Sequence, residues 1–350
     1  MPRIPPWLFR KANRRSPNVA ALLPACRDLQ SAVNELRWLK EHVHGITRIQ
    51  QEGLLSRLCR KRGQGYPLQY ILGSQPFGPL DIKCRPGVLI PRPETEAYTY
   101  HLADLIKAGS LGVGASDQSL GIVDFCTGTG CIPLLLYALL SRRFERLEVL
   151  GVDISTRAVS LARANVAHNI RLGHLPSMRP NHTVDILQGD IFQDQILEKL
   201  QEQTWDVMVS NPPYISRRAW HYGGGQIGHS VRKYEPSLAL VPGDDIPIPT
   251  AWEHEDVFYA RLLDIASRLR PKAMLYEIGD EMQAVRVISR FSQHRLSVGS
   301  HIEVWRDWPD TTPSHEEGSL LETTTADGRS QTVLAKGSGN IRSIFITLGS

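Results

Sequence analysis

No apolar run in this chain approaches the ~18 residues that a helical membrane span requires. An integral helical membrane protein is therefore excluded, and no membrane partner is expected. Cysteine is sparse. Cys26, Cys59, Cys84, Cys126 and Cys131 form no CxxC pair and no metal-ligand spacing. They read as reduced thiols in a reducing compartment or matrix. The histidines are scattered, and no metal is implied. Acid is missing from the first 27 residues, which carry Arg3, Arg10, Lys11, Arg14, Arg15 and Arg27. Taking those six from 40 Lys and Arg leaves 34 basic against 36 acidic residues, a net of −2 for the rest. The body thus lacks the charge of a nucleic-acid-binding surface, and no direct nucleic-acid contact is expected.

What is present supports a large core plus a small accessory domain: 350 residues, 41% hydrophobic. Residues 1–27 form a basic segment. An Arg-rich, acid-free start fits a mitochondrial transit sequence and a mitochondrial, otherwise cytoplasmic, location. Pro2, Pro5, Pro6 and Pro17 weaken its amphipathic-helix part, and a basic disordered tail is the alternative. Residues 28–66 carry two apolar stripes at helical spacing, Leu29 to Val43 and Ile46 to Leu58, separated by Gly45. The cluster Arg57, Arg60, Lys61 and Arg62 suits a solvated helix end or a contact for acidic groups. Residues 67–91 alternate apolar and polar around Gly73, Gly78 and Pro79, as a β-hairpin linker would. Residues 92–350 follow as an α/β domain with polar loops at 109–119, 171–182 and 311–340. The last, rich in Ser, Thr and Gly, is expected to be a disordered insertion between the final two strands.

Asn211-Pro212-Pro213-Tyr214 follows the buried-strand pattern Trp205 to Ser210, so it should sit at the carboxyl end of a central strand. Open α/β sheets bind ligands at that edge. Two prolines stiffen the backbone and donate no N–H. Asn211 and a proline carbonyl could accept the two hydrogens of a planar NH₂ group, with Tyr214 against its flat face. A cis-prolyl or polyproline turn is the plainer alternative. A second block runs strand, glycine turn, helix: Gly121 to Phe125, then Cys126-Thr127-Gly128-Thr129-Gly130-Cys131, then an apolar helix. Proline at 133, where a dinucleotide site wants a third glycine, argues against NAD. The next strand ends in Asp153, suited to a ribose diol or a helix cap. The next ends at Gly189-Asp190-Ile191, where Asp190 and Ile191 suit an adenine amino group and ring, or Asp190 caps a turn.

Further blocks are Pro67 to Gly73, Leu89-Ile90-Pro91-Arg92-Pro93-Glu94-Thr95-Glu96, Tyr234-Glu235-Pro236 and Tyr276-Glu277-Ile278-Gly279-Asp280. Together with the two motifs above they resemble the HemK/PrmC family of protein-glutamine N5-methyltransferases, in its mitochondrial release-factor branch. The resemblance runs from about residue 28 to the last strand. It implies a class I S-adenosylmethionine-dependent methyltransferase fold: a seven-stranded mixed, Rossmann-like sheet with a small N-terminal helical domain. It implies S-adenosylmethionine as cofactor, held by Thr127, Gly128, Thr129, Gly130, Asp153, Asp190, Ile191 and Asn211. It also implies action on the glutamine of the Gly-Gly-Gln loop of a peptide-chain release factor, and a monomer is expected. Asn211, Pro212, Pro213 and Tyr214 would do the chemistry, with Arg92 and Glu94 near the substrate entrance. Glu94 and Glu96 suit the first turn of the next helix equally well. The alternatives are an N6-adenine methyltransferase on DNA or RNA, whose substrate presents the same planar NH₂, and a non-catalytic factor that keeps the fold. Gly223-Gly224-Gly225-Gln226 matches the presumed substrate loop, as mimicry or coincidence.

Overall fold

The computed structural model describes residues 3–44, 48–111, 118–223, 227–325 and 328–349. Two compact units emerge: one from Met1–Gln75, Lys83–Ile90 and Arg218–Pro236, the other from Pro76–Ile82, Pro91–Arg217 and Ser237–Ser350.

The smaller unit is helical from its first residues. Helix α1 (Pro6–Arg15) and α2 (Pro17–Cys26) each begin with proline at the first helical position, where no N–H is needed. Ser16 Oγ accepts from Asn18 N at 3.2 Å, and Asp28 caps α3 (Leu29–His42) by accepting from Ser31 N at 2.8 Å. Helices α4 (Arg48–Gly63) and α5 (Leu68–Leu72) complete the run. Ala12, Val19, Leu22 and Leu23 are buried with Leu36, Leu39, Leu55 and Cys59. Residues 6–26 are therefore part of the helical core, not a basic tail, and the boundary expected at residue 28 is no break in the fold. Arg62 is no solvated helix end either. Its guanidinium makes two bonds to Glu35, Nε to Oε2 at 2.8 Å and Nη2 to Oε1 at 2.9 Å. Lys61 lies over the Tyr66 ring. Glu235 Oε2 accepts from Ile90 N at 3.1 Å, so two of the sequence blocks meet within this unit.

The linker is shorter than its sequence pattern. Its first residues are α5, and only β1 (Ser74–Phe77) and β2 (Leu80–Lys83) form the hairpin.

The larger unit continues with α6 (Pro93–Lys107), β3 (Ser119–Phe125), α7 (Cys131–Leu140), β4 (Arg146–Asp153), α8 (Thr156–Arg171), β5 (His182–Gln188), α9 (Asp194–Leu200) and β6 (Val207–Ser210). Two short helices, α10 (Arg217–Tyr222) and α11 (His229–Tyr234), lead into the smaller unit. The chain then runs through α12 (Val257–Leu269), β7 (Ala273–Glu277), α13 (Glu281–Phe291), β8 (His301–Trp308), β9 (Leu320–Thr324), β10 (Ser330–Lys336) and β11 (Ser338–Thr347). The sheet order is β5-β4-β3-β6-β7-β11-β8-β10-β9. Strands β3 to β7 are parallel, and β11 is antiparallel to both β7 and β8. The first seven strands in that order form the class I methyltransferase sheet. Helices cover both faces, so its central strands read as continuous apolar runs. Ile122, Val149 and Val207 face one core, and Val123, Val152 and Met208 face the other.

The segment 311–340 is not disordered throughout. Strands β9 and β10 pair antiparallel, β10 runs parallel to β8, and Leu321, Val333 and Ala335 enter the core. The period-two alternation of Leu321 and Thr323, with burial on one face only, builds a strand from a composition rich in Ser and Thr.

Candidate active site

Strand order reverses at β3, whose neighbours are β4 and β6, so the carboxyl ends of β3 and β6 frame the switch-point crevice. Register fixes what stands there. Phe125 is opposite Val152 and Ser210, and Ser210 is opposite Tyr276. One residue further on, Asp153, Cys126, Asn211 and Glu277 line the same edge.

The turn after β3 is built from backbone. Thr127 N donates to Val152 O at 3.0 Å and Gly130 N to Thr127 O at 2.9 Å. Gly128 and Gly130 take φ of +57° and +79°, which favours glycine. A Cβ at Gly128 would meet nothing within 4 Å, whereas one at Gly130 would press on Ala162 and Leu134 at 3.1 Å. The first glycine thus leaves open space above the turn and the second lets α7 pack closely. Pro133 lies in the first turn of α7, where proline is tolerated. Thr129 is buried, and its carbonyl accepts from Asn165 Nδ2 at 2.9 Å. Asp153 ties the turn to β4: Oδ2 accepts from Gly128 N and Oδ1 from Ser155 N, both at 2.8 Å. The cap of α8 is Ser155 instead, through Ala158 N.

Beneath the turn lies Asp124, which sequence reasoning missed. It is fully buried, and neither carboxylate oxygen has a hydrogen-bond partner among the described residues. Burial pushes its pKa up to about 8, against a partial downward pull from Thr127. The Thr127 hydroxyl nevertheless falls outside hydrogen-bond geometry and is itself orphaned.

At the end of β6, Asn211 Nδ2 donates to Glu277 Oε2 at 2.7 Å. Thr95 Oγ1 donates to the same oxygen at 2.8 Å, and Tyr214 OH donates to Oε1 at 3.0 Å. Glu277 is 3% exposed. Burial raises its pKa, while Thr95 and Tyr214 pull the other way. Burial and the neighbouring Glu277 charge raise the Tyr214 hydroxyl, and the Arg92 charge opposes them. Pro212 and Pro213 are buried, and no peptide bond is cis among the described residues. The Tyr214 carbonyl accepts from Gln283 Nε2 at 3.3 Å, and that nitrogen also donates to Asp256 Oδ1 at 2.8 Å.

The structure joins Thr127, Gly128, Gly130 and Asp153 in one turn, and Asn211 and Tyr214 on one carboxylate. Arg92 precedes α6, and Glu94 and Glu96 fall in its first turn, where their charge suits the helix end. From that block it is Thr95 that reaches Glu277. Asp190 Oδ1 accepts from Phe192 N at 2.9 Å and so closes a turn, with Ile191 buried behind it. Gly224 to Gln226 lie outside the described residues. Glu277 stood in a recognised block without a role. Its partners are 66, 63 and 182 positions away, beyond any local pattern.

These residues fit S-adenosylmethionine. Asp124, an orphaned acid under an open glycine turn, suits a cationic ligand, which would favour its ionised form, Asp153 suits a diol, and Asp190 with Ile191 suits an adenine. No group of acids, histidines and cysteines among the described residues could hold a metal.

A family profile described as "Methyltransferase small domain" matches residues 114–227. The chain is 36% identical over 245 residues to the mitochondrial MRF1 N(5)-glutamine methyltransferase MTQ1 of Saccharomyces cerevisiae, covering 69% of this chain and 68% of that protein. It is 37% identical over 246 residues to the "Probable MRF1 mitochondrial N(5)-glutamine methyltransferase" of Schizosaccharomyces pombe, covering 69% and 73%. A release factor glutamine methyltransferase of Rhodopirellula baltica is 32% identical over 239 residues, 68% of this chain and 71% of that one. With these relatives and this site, the chain belongs to the HemK/PrmC family of protein-glutamine N5-methyltransferases.

Proposed function

We propose that this enzyme methylates the N5 nitrogen of the Gly-Gly-Gln glutamine in a mitochondrial peptide-chain release factor, acting as a monomer in the mitochondrion. The observation that carries the chemistry is the Asn211–Glu277 contact, which leaves Asn211 Oδ1 as an acceptor at the crevice. The mitochondrial reading rests on the two yeast relatives.

S-adenosylmethionine supplies an electrophilic methyl group. Thr127, Gly128, Thr129, Gly130 and Asp153 would hold it over the turn, with Asp190 and Ile191 at its adenine. An amide nitrogen is a poor nucleophile because its lone pair is delocalised. No titratable side chain in the site is a strong enough base to deprotonate it first. Placement must therefore do the work, and confinement of reacting atoms can supply several of the ~7–11 kcal/mol available from proximity. Asn211 Oδ1 and the Pro212 carbonyl accept the two N–H groups. Those bonds strengthen as positive charge develops on nitrogen, so they favour the transition state over the ground state. The two buried prolines keep the acceptors from yielding. Tyr214, anchored on Glu277, walls the site, and Arg92 and Glu94 stand at its entrance. The proton leaves to water after transfer.

Labelled S-adenosylmethionine tests this, offered with a release factor, with the same factor carrying Ala in place of the glutamine, and with DNA or RNA. Label on the first alone is expected. Label on nucleic acid would make the enzyme an adenine methyltransferase.

A further inference from the structure

We propose that Glu277 determines specificity for a carboxamide: by holding Asn211 Nδ2, it turns Asn211 Oδ1 toward the substrate, so that an NH₂ group is accepted and a carboxylate rejected. This rests on the functional reading above. The amide nitrogen of Asn211 can only donate, and a carboxylate is an acceptor. A flipped Asn211 would set its oxygen against Glu277 Oε2 at the present separation of 2.7 Å, two acceptors with no hydrogen between them. The flipped form is therefore excluded while Glu277 stays in place, and several contacts keep it there. Its main-chain carbonyl accepts from Tyr259 OH at 2.8 Å, the next residue's N–H donates to Arg342 O at 2.8 Å, and Thr95 and Tyr214 also donate to its carboxylate.

The consequence concerns selection more than speed. A glutamate side chain in the same place would bring an acceptor against Asn211 Oδ1. A site built to pair a buried polar group rejects the analogue that leaves it unpaired. Glu277 touches neither substrate nor methyl donor in this scheme. It is a positioning residue that acts through Asn211.

The test is a charge-conserving swap. In Glu277→Gln, the side chain gains an NH₂ that can donate to Asn211 Oδ1, so Asn211 is no longer held in a single orientation with that oxygen toward the substrate. In Glu277→Gln/Asn211→Asp, the new aspartate takes that donor on one oxygen and presents the other. Two quantities are read: methyl transfer, and equilibrium binding of a release factor against its Gly-Gly-Glu variant. Wild type is expected to bind the Gln form at least tenfold more tightly than the Glu form. Glu277→Gln should weaken that preference and lose up to about 10²–10³-fold in kcat, the loss expected for one oriented polar contact. The double variant should recover at least tenfold of the loss. Thr95→Val, which removes a donor to Glu277 but leaves Asn211 held, should keep the preference. Three results overturn the inference: an unchanged preference in Glu277→Gln, no recovery in the double variant, or Thr95→Val losing preference as Glu277→Gln does. Wild-type enzyme inert toward the release factor would instead overturn the functional reading, and the inference with it.

Discussion

Two strand ends stand side by side in this sheet and treat their polar groups in opposite ways. Past β6, Asn211, Tyr214 and Thr95 converge on Glu277 and each donates to its carboxylate. Past β3, the side chains of Asp124 and Thr127 are buried with no hydrogen-bond partner among the described residues. A satisfied network is rigid, whereas an unpaired buried acid costs free energy that a cationic ligand, by favouring its ionised form, can recover. The first end is organised before substrate arrives. The second couples the stability of the fold to what lies over the turn.

The sharpest way to break this comparison is Asn211→Ala. Losing one preorganised acceptor should lower methyl transfer by about 10²–10³-fold, roughly 3 kcal/mol, with donor affinity intact. Steady-state kinetics beside calorimetric donor binding would check both halves. Asp153→Ala should do the reverse. Its carboxylate holds Gly128 N and would accept from a diol, so donor affinity should drop about 10–100-fold, the equivalent of one hydrogen bond to a charged group. An unchanged dissociation constant removes Asp153 from the cofactor site.

Asp124 separates the two ends by pH. Its folded pKa of about 8 lies above its ordinary 3.8, so the folded state keeps a proton that the unfolded state has lost. Stability of the donor-free protein should therefore fall as pH rises from about 4 to about 8. Burial raises Asp153 and Glu277 in the same direction. Asp124→Asn should flatten that slope and raise the melting temperature at pH 8, and denaturation across this range would show it. The smallest effect is expected of Thr95→Val. Glu277 keeps two other donors, so the loss should be near 1 kcal/mol of stability, read from denaturant midpoints.

Most of the α/β frame was legible. Gly121 to Phe125 lies in a strand, Asp153 ends one, and Asp190 and Asn211 fall just past one, as their apolar runs predict, because parallel strands buried on both faces leave continuous hydrophobic signatures. Helices α1 and α2 were hidden by surface charge and by prolines that turn out to start helices. Strands β9 and β10 were hidden by Ser and Thr, whose composition suggests a loop while their alternation builds a sheet edge. Glu277, Thr95 and Asp124 escaped for another reason. A buried carboxylate is defined by partners distant in sequence, or by lacking them, and neither leaves a local pattern.

The central claim is that a diproline corner and an oriented Asn211 steer a carboxamide nitrogen into methyl transfer without prior deprotonation. Mass spectrometry of a release factor incubated with the enzyme and S-adenosylmethionine tests it most directly. The account predicts one methyl group on the Gly-Gly-Gln glutamine, absent or nearly so with Asn211→Ala. Full methylation of that glutamine by the Asn211→Ala enzyme would contradict it.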